Sequence, residues 1–181
     1  MPRSRRFRAR KGEAVGVKQT VRVRISLKVD YGLRAMAEIA ADTTGEPVKA
    51  EDIARAQDIP LKYLLGILSE LRRGYLLRSQ RGADGGYVLM RPANEVTLAD
   101  VIRVVDGPLA NVHDTSLSNI EYGGPAKDLL EVWMALRASL RGVFETVTIA
   151  DLAAGSLPES VKELAATYRA EEREARTSGR R

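Results

Sequence analysis

Two apolar patterns of helical period, one from Ala50 to Gln57 and one from Pro60 to Gly74, are separated only by the turn at Asp58-Ile59. Ile53 and Ala54 face inward in the first. Leu64, Ile67, Leu68 and Leu71 form one buried stripe in the second. Pro60 suits a first helical turn, where its missing N–H costs little, and Gly74 closes the helix. Two short helices joined by so tight a turn follow helix-turn-helix grammar.

The flanking segments complete that unit. Helix one starts at the N-cap residue Ser26, with Val29, Leu33, Met36 and Ala40 toward the core. The breaker Thr43-Thr44-Gly45-Glu46-Pro47 ends it, and Val48 makes a short strand. Beyond Gly74, Leu76–Gln80 and Tyr87–Met90 are strand-like and enclose the glycine-rich loop Arg81-Gly82-Ala83-Asp84-Gly85-Gly86, which forms a wing. Helix four opens on a Thr97/Asp100 capping box with a Val96–Val101 staple, and Gly107-Pro108 ends it. The fold class is mainly α with a small β-hairpin: a winged helix-turn-helix domain plus a long dimerisation helix.

That last helix follows Pro125 and is expected to be the longest, reaching about Val147. Leu129, Trp133, Leu136, Leu140, Val143 and Val147 repeat at heptad spacing. A helix packed on its own domain would show the same stripe. A dimer seam is favoured because the winged helix already has a core. A second capping box, Thr148/Asp151, opens a short helix closed by Gly155. A charged amphipathic helix follows from Pro158 to about Arg176. The organisation is thus 1–22 a disordered basic arm, 23–106 the winged helix, 107–125 a loop of sensor type, 126–155 the dimerisation helix and short helix, and 156–181 a charged helical tail.

Charge is unevenly spread. Residues 1–24 hold nine basic residues against Glu13 alone, so the net +5 of the chain leaves −3 for the rest. The arm is either a phosphate grip or an extension from an upstream start codon. The abrupt onset of pattern at Ile25 favours the extension. Within the body, Lys62, Arg72, Arg73, Arg78, Arg81 and Arg91 outnumber Glu70 and Asp84 by four. Helix three would lie in a major groove with Lys62, Tyr63, Gly66, Ser69, Arg72 and Arg73 outward. Arg81 beside Gly82 would enter a minor groove, with Ser79 nearby on the wing. Ser26, Lys28 and Tyr31, at the positive end of helix one, would hold phosphate. The competing readings are an ordinary solvated helix face and a winged-helix protein-interaction module. Enzymatic chemistry has little to stand on: there is one histidine, no cysteine and no catalytic constellation. No run spans a membrane, and a cysteine-free chain with no secretory signal is expected in the cytoplasm.

Ile25–Ala35, Ile59–Leu64, Arg78–Tyr87, Thr97–Ile102 and Thr148–Leu152 together resemble the Rrf2 family of bacterial regulators (the IscR, NsrR and CymR types), over about residues 23–154. The resemblance implies a transcription regulator, most often a repressor, crossed through its long helix as a homodimer on a near-palindromic operator in double-stranded DNA. It matches Lys62, Tyr63 and Gly66 to contacting positions and Arg81 to the wing arginine. Two departures stand out. Leu65-Gly66 replaces the base-reading Glu-Gln pair of cluster-binding relatives, and Pro60 replaces a serine cap. Three cysteines of those relatives are missing from the stretch Asn111–Tyr122, so the expected cofactor is none: there is no ordinary ligand set for an iron–sulfur cluster. Asp30, His113, Asp114 and Glu121 could in principle bind a hard or borderline metal, against the bland reading that a lone histidine is structural. Control by a protein or small-molecule effector is the better expectation, as in cluster-free relatives that pair with a metabolic enzyme such as cysteine synthase.

Overall fold

A computed structural model describes residues 25–82, 84–107 and 121–178. Helices α1 (Leu27–Ala41), α2 (Ala50–Gln57) and α3 (Leu61–Arg73) precede strands β1 (Leu77–Gln80) and β2 (Gly86–Leu89). After a 3₁₀ turn at Ala93–Glu95 come α4 (Leu98–Val105), a second 3₁₀ turn at Gly124–Ala126, α5 (Leu129–Phe144), α6 (Ile149–Ala153) and α7 (Glu159–Ser178).

The core forms where the apolar faces of α1 to α4 converge. Met36, Ile53, Leu64, Leu68, Leu71 and Val101 are sealed from solvent there, and Leu77 joins them from the hairpin. Among the described residues no polar side chain is buried. Cohesion is therefore apolar, and side-chain caps set where α1, α4 and α6 begin. Ser26 Oγ accepts from Val29 N at 3.1 Å. Thr97 and Asp100 form the expected reciprocal capping box, and so do Thr148 and Asp151.

The hairpin pairs Leu77 with Leu89 and Gln80 with Gly86 in antiparallel register. Val48 bridges to Tyr87, so the expected short strand exists as a single bridge. The turn into the hairpin shows why Gly74 is glycine. Its φ is −80°, which any residue can adopt. A Cβ there would stand 2.5 Å from Val104 Cγ2, so the end of α3 lies too close to α4 for a side chain. The left-handed turn falls instead on Tyr75, at φ 59°.

Two expectations need correction. The longest helix is α7, with 20 residues against 16 in α5. Within 126–155, α6 packs on α1 and buries Ile149 in the core. Val147 belongs to that return rather than to the seam. It lies three residues past α5, is 2% exposed, and its carbonyl accepts from Leu98 N at 3.0 Å. Ile149 N donates to Val96 O at 2.8 Å, and Thr97 bridges Thr148, so the two capping boxes lie side by side. The basic arm, most of the sensor-type loop, and His113 and Asp114 lie outside the described residues.

Candidate nucleic-acid interface

Helical geometry assigns each α3 side chain a direction. Leu64, Ile67, Leu68 and Leu71 occupy the inner face. Lys62, Gly66, Ser69 and Arg73, spaced four, three and four residues apart, run along the outer ridge opposite. Tyr63 and Glu70 flank the ridge on the α1 side, while Leu65 and Arg72 flank it on the side of the hairpin. Lys62, Tyr63, Leu65, Gly66, Arg72 and Arg73 are all exposed.

The α1 flank is built from contacts across the chain. The Tyr31 and Tyr63 rings meet edge to face, with centroids 5.8 Å apart and planes at 78°. The Arg34 guanidinium lies 5.4 Å from the Tyr31 ring centroid, and its NH1 is 3.3 Å from Asp30 Oδ2. Ring and cation thus hold the tyrosine pair in place while Tyr63 stays open to solvent. On the hairpin flank, Arg72 NH1 donates to Ser79 Oγ at 3.3 Å. Leu65 borders a groove with Lys49, Glu51, Ser79, Gln80, Gly82 and Tyr87. Arg81 and Gly82 are exposed at the wing tip, and Gly82 takes φ +115° to make that turn.

Among the described residues no carboxylate pairs with Lys62, Arg72, Arg73 or Arg81, whereas Lys28, Arg34, Arg91 and Arg103 are each paired. Positive charge is therefore left unneutralised on the α3 ridge and the wing.

Other expected contacts fall elsewhere. Lys28 does not reach outward: its Nζ sits 2.6 Å from Glu70 Oε2 and donates to Val105 O at 3.2 Å, tying α1 to α3 and to the last carbonyl of α4. A cation at a helix C-terminus is favourably placed there. Ser26 is committed to capping α1, and Ser79 to Arg72. Arg91 is 3.6 Å from Asp100. Arg78 lines the opposite side of the hairpin with Ile39, Asp42 and Glu46, as strand alternation requires. Sequence reading singled out Leu65 but missed Lys49, because only the fold brings the start of α2 and the flank of α3 to one groove.

A family model described as Rrf2, iron-dependent transcriptional regulator, matches residues 25–155. The chain belongs to the Rrf2 family. Among its relatives, the helix-turn-helix-type transcriptional regulator Rv1287 of Mycobacterium tuberculosis is 50% identical over 150 residues, covering 83% of this chain and 93% of that one. CymR of Bacillus subtilis is 36% identical over 131 residues, covering 72% and 90%. The solved structure of CymR, the global cysteine regulator of B. subtilis, superposes with a TM-score of 0.63 at 35% identity over 74% of this chain and 98% of that one. That of T. potens IscR superposes with a TM-score of 0.58 at 29% identity, covering 75% and 89%. The winged-helix expectation therefore holds.

Iron in the family description invites a test of the donors. The chain has no cysteine. Asp30 is engaged by Arg34, and among the described residues no three His, Asp or Glu side chains converge as metal ligands. This donor set does not fit a thiolate-held cluster.

Proposed function

We propose that this Rrf2 protein is a sequence-specific regulator of transcription, acting in the cytoplasm as a cluster-free homodimeric repressor on a near-palindromic operator. The observation that carries the reading is the set Lys62, Arg73 and Arg81, displayed without carboxylate partners among the described residues on the α3 ridge and the wing, while Lys28 and Arg91 nearby are held in ion pairs. Lys62 and Arg73 contact phosphate or guanine, Tyr63 donates its hydroxyl to phosphate, and Arg81 enters the minor groove.

Dimerisation runs through α5. The helix buries no residue within the chain, and it leaves Val132 56%, Met134 50% and Leu136 41% exposed. Leu129, Trp133, Leu140 and Val143 are half-buried along the same seam as Leu136. Exposed apolar surface of this kind calls for a partner, and a second copy supplies the two-fold symmetry of a palindrome. The signal arrives through a protein or small molecule, since thiolate ligands are absent.

The test is a titration of the full chain against DNA from its own promoter, with and without competitor, across a salt series. The expected result is preference for the promoter fragment and a linear fall of log affinity with log salt. Equal affinity for competitor DNA overturns the reading. Iron bound to the purified protein in stoichiometric amount overturns its cluster-free part.

A further inference from the structure

We propose that Leu65 reads thymine, through the 5-methyl group, at one base pair of each operator half-site. The proposal rests on the DNA-binding reading above and adds the chemistry of the base.

The core does not account for Leu65. Its four apolar neighbours on α3, Leu64, Ile67, Leu68 and Leu71, are at most 1% exposed, while Leu65 is 43% exposed. It stands on the flank between the Lys62–Arg73 ridge and the hairpin, where a base edge entering beside α3 would meet it. Leu61, one turn earlier on the same flank, is 36% exposed and extends the apolar strip.

The adjacent position is bare. A Cβ on Gly66 would meet no atom within 4 Å, so nothing inside the chain requires glycine there. A glycine in a helix interior costs roughly 1 kcal/mol relative to alanine. The gap is explained by close approach from outside, with the helix backbone admitted against the base edges.

Together Leu65 and Gly66 offer no side-chain donor or acceptor at the centre of the exposed face. All four bases present hydrogen-bonding groups in the major groove, which neither residue's side chain can answer, but thymine alone adds a methyl group that an apolar side chain can contact. Specificity at this step comes from apolar contact, while Lys62 and Ser69, one turn to either side, supply the polar contacts.

The experiment selects a duplex from a random library with the full-length protein. Each thymine of the selected site is then replaced singly by deoxyuridine, which keeps Watson–Crick pairing and removes only the methyl. Affinities at fixed salt are compared for the native chain and Leu65→Ala. The expected result is one position per half-site where deoxyuridine weakens the native protein by about fourfold, the fold-change for burying one methyl group. Leu65→Ala should be insensitive to that replacement, with an unchanged melting temperature and salt slope. A tightly bound duplex with no deoxyuridine effect that depends on Leu65 overturns this proposal alone. A protein that retains no duplex overturns the DNA-binding reading as well.

Discussion

The edge of one tyrosine ring meets the face of another where α1 crosses α3: Tyr31 and Tyr63, 5.8 Å between centroids. The contact fixes the azimuth of Tyr63 without burying it. Tyr63→Phe keeps the packing and loses the hydroxyl, so it should leave the melting temperature unchanged and weaken DNA binding. Tyr31→Ala should cost about 0.5–1.5 kcal/mol of stability, the worth of an aromatic pair, and also loosen binding. Thermal melts beside operator titrations check both. Equal binding by Tyr63→Phe and the native protein would remove the hydroxyl from the interface.

Lys28 and Arg81 should behave as opposites. Lys28→Met breaks the link to Glu70 and Val105, so stability should fall by about 1 kcal/mol while the salt dependence of DNA binding stays the same. Arg81→Ala should leave stability alone, lower operator affinity by roughly 1–3 kcal/mol and flatten the salt slope by about one unit. An Arg81→Ala protein that binds normally would displace the wing from the interface.

Glycine-to-alanine changes on α3 should differ in sign. At Gly74 the new methyl meets Val104, and overpacking of this kind costs typically about 1–3 kcal/mol. At Gly66 it meets open space, so stability should rise by up to roughly 1 kcal/mol while affinity for DNA falls. Chemical denaturation and anisotropy on the two variants give the comparison.

A leucine and a valine of one heptad pattern should separate on mutation. Leu136→Glu places charge on exposed α5 and should yield folded monomers by sedimentation. Val147→Glu places charge in the core and should instead unfold the winged helix, with loss of the cooperative melt.

Acid should loosen the start of α6. The Thr148 hydroxyl and backbone N–H hold the Asp151 carboxyl below its ordinary value of 3.8. A carboxylate with a lowered folded pKa stabilises fully above the unfolded value, and that contribution is lost as pH falls through the folded one. The difference in melting temperature between native protein and Asp151→Ala should therefore be constant from about pH 7 to 5 and shrink below about pH 4. A gap that persists at pH 2 would assign the effect to something other than ionisation.

What could be read from sequence followed the range of the physics. The bounds of α2, both capping boxes and the hairpin depend on residues within a few positions, and the structure has them as expected. Val147 escaped because heptad spacing runs on past the end of α5, although the Thr148 cap beside it requires extended backbone. Lys28 escaped because a lysine opening a helix looks free, and its partners Glu70 and Val105 are distant in the chain. The groove holding Lys49 and Leu65 exists only after α2, α3 and the hairpin have docked.

The paired bridge at Thr97 and Thr148 also governs how this protein can be divided. A fragment ending at Asp106 would keep the whole α3 ridge and the wing, yet it would lose Ile149 and leave an empty socket under α1. The winged helix and the segment that carries α5 are stitched through a common floor, so neither can be lent to another protein without the other.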